Sequence, residues 1–106
     1  MKHWIRVCST ADLLPGEFQV AYAGDTAIAV FNIDGTLYAI EDVCTHDGGE
    51  LAGGPIEGFE IECVRHGAKF DLRTGAAVCP PAYIPTVTFP VKVENGSVWT
   101  CDDREE

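Results

Sequence analysis

What most constrains the folding of this chain is a pair of short motifs, Cys44-Thr45-His46 and Cys63-Val64-Arg65-His66, with sixteen residues between them. Each half offers one thiolate and one imidazole. The four side chains can share a site only if the fold brings two separate loops together. The flanking residues suit loops. Gly48, Gly49, Gly53, Gly54 and Pro55 follow the first motif; Gly67 and then Cys79-Pro80-Pro81 follow the second. Glycine lets a backbone turn tightly, and proline stiffens it.

The rest of the chain reads as strand and turn. Trp4 to Val7, Phe18 to Ala23, Ala27 to Ile33 and Leu37 to Val43 are rich in β-branched and aromatic residues. Asp34-Gly35, and Asn95-Gly96 between Val91–Val93 and Val98–Thr100, are two-residue hairpin signals. Glu57-Gly58 leads into Phe59-Glu60-Ile61-Glu62, which alternates apolar and charged. Ser9 to Leu14 has the form of a capped helical turn closed by Pro15-Gly16. No segment carries a long helical period, so the expected class is all-β. Each motif then follows directly on a strand, the first on one ending at Val43 and the second on one ending at Glu62. Asp102 to Glu106 reads as a solvated tail.

At 106 residues, the expectation is one domain spanning 1–106. Such a chain buries roughly 65% of its unfolded surface, a modest core to which a bound metal group can add folding free energy. Seven basic residues against seventeen acidic ones give a net charge of −10. That balance excludes nucleic acid, which demands a basic face, and disfavours an anionic membrane. It suits solubility and steered docking on a positive partner. No run is long enough to span a bilayer. The segment Met1 to Cys8 lacks the apolar core of a signal peptide and a twin arginine, so a cytoplasmic location is expected. In a reducing compartment, five cysteines read as metal ligation plus spare thiols.

Two cysteines with two histidines suit three chemistries. In one type of two-iron, two-sulfur centre, His₂ replaces Cys₂ on one iron. A structural zinc site uses the same set, although C-x-H is tight for a zinc knuckle. A Cys–His nucleophilic pair lacks any marked oxyanion site or orienting carboxylate. For the cluster, Gly48, Gly49 and Gly67 would let backbone N–H groups approach bridging sulfides, and Pro80-Pro81 would form a stiff flap against water. Cys8 and Cys101 are expected as small core or edge residues and Cys79 as a neighbour of the site. Trp4 and Trp99 are expected as core aromatics.

With Cys63-Val64-Arg65-His66-Gly67-Ala68-Lys69-Phe70-Asp71 and Thr74-Gly75 beside Cys44-Thr45-His46, the chain resembles the Rieske family over nearly its whole length. It is most similar there to the small Rieske-type ferredoxins of bacterial ring-hydroxylating oxygenase systems. The resemblance implies stacked antiparallel sheets with a two-loop cluster-binding subdomain at about 44–83, and one [2Fe-2S] cluster. Cys44 and Cys63 would hold its inner iron. His46 and His66 would hold the outer iron through Nδ1, with Nε2 near solvent. One departure is Val64, where many members have proline. The positions that carry a disulfide in high-potential members hold Gly49 and Arg65 here. Those that donate hydroxyl hydrogen bonds to the cluster hold Ala68 and Phe70. Fewer donors, with Asp47 adding negative charge, imply a potential near the low end of the Rieske span, roughly −150 mV, and flat around neutral pH.

The function so implied is that of a one-electron carrier, not an enzyme. A flavin-containing, NAD(P)H-dependent ferredoxin reductase would reduce it. It would then pass the electron to a terminal Rieske non-haem iron oxygenase acting on an aromatic compound. His3 is the only other histidine, so a 2-His-1-carboxylate iron site cannot be added. Docking would centre on His46 and His66, with Leu51, Pro80 and Pro81 as apolar neighbours and Asp47, Glu50 and Glu57 as a rim. A monomer is expected. The alternatives are the small Rieske-like subunit of an assimilatory nitrite reductase and, in another class, a zinc-stabilised binding module.

Overall fold

The computed structural model describes residues 3–45, 48–63 and 67–105. Among these residues eleven strands form three antiparallel sheets. The first has the order β1 (Ile5–Ser9), β11 (Ser97–Thr100), β10 (Val91–Glu94). In the second, β2 (Phe18–Ala23), β3 (Thr26–Ile33) and β4 (Thr36–Glu41) run as a meander, and β9 (Thr88–Phe89) adds to β4. The third is β5 (Ile56–Glu57), β6 (Glu60–Cys63), β7 (Ala68–Asp71), β8 (Ala77–Cys79), in chain order.

Strand β3 decides how these sheets stack. Ile28 to Asn32 is buried without a break, because the strand has core on both faces. Side chains alternate across a strand, so Ile28 and Val30 enter one core and Ala29 and Phe31 the other. Ala39 and Ile40 of β4 divide the same way. One core packs Cys8, Leu13, Phe89 and Val98 under the first sheet. The other reaches up to the third sheet through Leu51, Ile61, Phe70 and Leu72. The central sheet is thus the wall between a base and the layer that carries both cysteine motifs.

The turns follow their chemistry. Asp34 and Gly35, and Asn95 and Gly96, all have positive φ (52° and 95°, 53° and 75°), the conformation a type I′ hairpin requires. Ser9 Oγ accepts from the Ala11 N–H and caps the short 3₁₀ turn Thr10–Asp12.

Several sequence expectations need correction. The strand from Leu37 stops at Glu41, not Val43, because Asp42 turns its carboxylate inward to serve a loop. The strand before the second motif runs through Cys63 and starts one residue late, since Phe59 sits in the turn. The strands Ala68–Asp71, Ala77–Cys79, Ile56–Glu57 and Thr88–Phe89 were not anticipated. Neither tryptophan belongs to a core. Both are half-buried; Trp4 lies under Lys92 Nζ at 4.6 Å and Trp99 Nε1 donates to Glu94 O. Nor is the C-terminal segment simply solvated. Arg104 binds Asp102 through two nitrogens, reaches Glu41 Oε1 at 3.4 Å, and lies over the Phe89 ring.

Candidate metal centre

Cys44 and Cys63 are 0% and 1% exposed and belong to the same apolar core as Leu51, Ile61, Ala68, Phe70, Leu72 and Ala82. Two loops distant in sequence therefore place sulfur in one water-poor layer. Cys63 arrives at the end of β6, opposite Ala68 of β7.

Each cysteine begins the same kind of turn. Gly48 N–H donates to Cys44 O at 2.7 Å, and Gly67 N–H donates to Cys63 O at 2.9 Å. Both bonds span four residues, and both glycines sit in the left-handed region, at φ 78° and 77°. A side chain would meet nothing within 4 Å at either position, so backbone conformation and not space selects glycine there. His46 and His66 fall inside these two segments by sequence. They lie outside the described residues, as do Asp47, Val64 and Arg65. Among the described residues no group of three or more His, Cys, Asp or Glu side chains converges on one point.

Further hydrogen bonds hold the first loop. Cys44 N–H donates to Gly49 O at 2.6 Å. Asp42 Oδ1 accepts from the Leu51 and Ala52 N–H groups at 2.8 and 2.7 Å, and the residue is only 6% exposed. Thr45 Oγ1 donates to Ile84 O, while Thr86 Oγ1 donates to Glu41 O. The segment after Pro80-Pro81 is thereby fastened beside the first motif. It presents Tyr83 and Ile84, 79% and 65% exposed. Sequence reasoning found neither this pair nor Asp42. Asp42, beside Glu41 at the end of an apolar run, carries no local signal, and Tyr83 resembles any loop aromatic.

The second loop is held below. Asp71 closes β7 by accepting from Arg73 N–H and from the Arg73 guanidinium, which lowers its carboxyl pKa below the usual range. Gly75 packs so closely that a Cβ there would collide with Thr86 O, joining this turn to the segment fastened to the first loop. Ala68 and Phe70 are fully buried and bring no hydroxyl group.

Leu51 does not line a surface, contrary to expectation; it is 1% exposed and packs in the core with both cysteines. Pro80, Glu50 and Glu57 are exposed as anticipated. Cys8 and Cys101 are buried, and burial raises the Cys8 thiol pKa. Cys79 is half-buried on β8, paired with Lys69. Two open depressions of about 490 and 510 Å³ lie beside Phe18 and Ile56 and beside His3 and Asp25. Neither is lined by Cys44 or Cys63, so neither is a substrate pocket over them. No helix among the described residues is long and apolar enough to cross a membrane.

Comparison with known proteins agrees with this geometry. Residues 3–90 match the family model described as Rieske [2Fe-2S] domain. The ferredoxin component of the naphthalene 1,2-dioxygenase system of Pseudomonas putida is 36% identical over 92 residues, 87% of this chain and 88% of that protein. The 3-phenylpropionate/cinnamic acid dioxygenase ferredoxin subunit of Escherichia coli is 42% identical over 98 residues, 90% of each chain. In a solved complex of reduced oxygenase and oxidized ferredoxin in carbazole 1,9a-dioxygenase, one chain superposes with a TM-score of 0.86. The two share 34% identity over 92% of each chain.

Proposed function

The chain belongs to the Rieske [2Fe-2S] domain family, and on that premise we propose that it is the electron-carrying ferredoxin of an aromatic ring-hydroxylating dioxygenase system. Its cofactor is one Rieske-type [2Fe-2S] cluster. We assign Cys44 and Cys63 to the inner iron and His46 and His66 to the outer iron. The donor set suits the group: two soft thiolates for one iron and two neutral imidazoles for the other. When bound, the cluster supplies reversible one-electron transfer without making or breaking a substrate bond.

The single observation that carries this reading is the joint burial of Cys44 and Cys63 in one apolar core, each opening a glycine-closed turn. The core excludes water from the cysteine side. By sequence, each histidine follows its cysteine by two or three residues and precedes the glycine that bonds back to that cysteine. Ala68 and Phe70 offer no hydroxyl to the sulfides, which leaves an added electron less stabilised than hydroxyl donors would. Tyr83, Ile84 and Pro80 form an apolar contact surface held against the first loop by Thr45.

A flavin-containing, NAD(P)H-dependent reductase supplies the electron in this reading, and a terminal oxygenase receives it and carries out the hydroxylation. The whole exchange takes place in the cytoplasm. The carrier binds each partner in turn, which favours small and transient interfaces. The test is reconstitution. The anaerobically purified protein, reduced chemically, is mixed with terminal oxygenases of aromatic-compound systems and a single turnover is followed. Product formed in proportion to reduced protein supports the assignment; cluster oxidation by none of them contradicts it.

A further inference from the structure

We propose that Asp42 is a positioning residue that clamps the first cluster-binding loop shut, an inference that rests on the ligand assignment above. The chain leaves the central sheet at Asp42, presents Cys44, and comes back to Asp42 at Leu51 and Ala52. Entry and exit of that loop meet at one atom. Asp42 Oδ1 accepts from both Leu51 N–H and Ala52 N–H, at 2.8 and 2.7 Å. Asp42 is itself anchored, because its own N–H donates to Ala27 O at 2.9 Å. Its neighbours on either side are held as well, since Thr86 Oγ1 lies 3.3 Å from Glu41 O and 3.5 Å from Val43 O. The carboxylate therefore transmits the position of the central sheet to the loop.

Packing alone does not explain the arrangement. Leu51 fills the core, but an apolar contact does not fix the direction of two adjacent N–H groups. A buried carboxylate is a costly way to fill space unless its bonds are used. Without an acceptor there, two N–H groups would be stranded at the neck of the loop, and reopening would satisfy them with water. Reopening also draws Leu51 out of the core it shares with Cys44. Outer groups that orient metal ligands act in this way.

The experiment compares wild type, Asp42→Asn and Asp42→Ala as holoproteins. The asparagine keeps a carbonyl oxygen in place, whereas alanine removes it. Expected for Asp42→Ala is cluster release about tenfold faster or more, the span typical of lost outer-shell partners. Its EPR spectrum in the reduced state broadens, and Leu51 and Ala52 amides exchange rapidly while those of β10 and β11 stay protected. Asp42→Asn should keep the wild-type release rate, spectrum and amide protection. Wild-type release and slow exchange in Asp42→Ala would overturn the proposal, as would an asparagine variant no better than alanine. Should alanine prevent folding, the wild-type protein still decides. Slow exchange at Leu51 and Ala52 is required, and exchange at the rate of an open loop refutes the clamp. A wild-type spectrum lacking coupling to two nitrogens would instead overturn the ligand assignment, and the clamp with it.

Discussion

Arg104 shows how a single side chain can turn an apparent tail into structure. It forms a two-point pair with Asp102, whose side chain is only 7% exposed, and reaches Glu41 and Thr26 of the central sheet. The guanidinium hydrogen bond holds the Asp102 carboxyl at about 2, against about 3.9 in an unfolded chain. Between those values the unfolded state binds more protons. The pair's stabilisation is therefore complete above about pH 4 and is lost as pH falls toward 2. Asp102→Asn should remove that part of the acid limb and cost about 1 kcal/mol at neutral pH, since Arg104 itself is partly exposed. Urea unfolding at a series of pH values measures both effects; an unchanged acid limb would contradict the assignment. Residue identity also accounts for what the sequence concealed at the site. Type and spacing single out Cys44, His46, Cys63 and His66 as candidate ligands, and of these the described residues include the two cysteines. They do not single out Asp42 and Thr45, because the roles of these two depend on Leu51, Ala52 and Ile84, partners that only the folded chain brings near.

Among the elements, the legible strands were those with local punctuation. Asp34-Gly35 and Asn95-Gly96 announce their hairpins, and the run from Ala27 to Ile33 announces a strand, whose burial on both faces the structure adds. The strands that escaped notice are short and defined by partners. Thr88–Phe89 exists only because β4 offers an edge to it, and Ala68–Asp71 lies inside residues that read first as motif. The end of β4 was misplaced because Val43 is apolar but belongs to the loop. At this scale the paired turns make a prediction. Gly48→Ala and Gly67→Ala each force a left-handed backbone on an L-residue, at about 1–2 kcal/mol, in positions with room for the methyl. Both should accelerate cluster loss, while amide protection in the β1–β11–β10 sheet stays as in wild type. Equal loss of protection in both sheets would show instead that the glycines support the whole fold.

For the whole molecule, an acidic groove and an exposed apolar pair lie on different segments of the chain. Glu57, Glu60 and Glu62 line an open groove beside Pro55, Ile56 and Lys69. Tyr83 and Ile84 stand on the segment fastened to the first loop. Steering and contact can then be separated experimentally. Raising ionic strength should slow association with a partner, because exposed charges are screened beyond about 8 Å at physiological salt. Tyr83→Ala with Ile84→Ser should weaken the complex mainly by faster dissociation, leaving the salt dependence intact. Stopped-flow transfer to an oxygenase distinguishes the two; rates indifferent to both salt and substitution would place the docking surface elsewhere. The central claim is a Rieske centre held by Cys44, His46, Cys63 and His66 and lacking hydroxyl donors. Its most direct test is a redox titration of the purified protein followed by EPR with nitrogen hyperfine detection. The account predicts one single-electron wave near the low end of the Rieske span, roughly −150 mV, with coupling to two imidazole nitrogens. A midpoint above zero, or a reduced signal without nitrogen coupling, would contradict it.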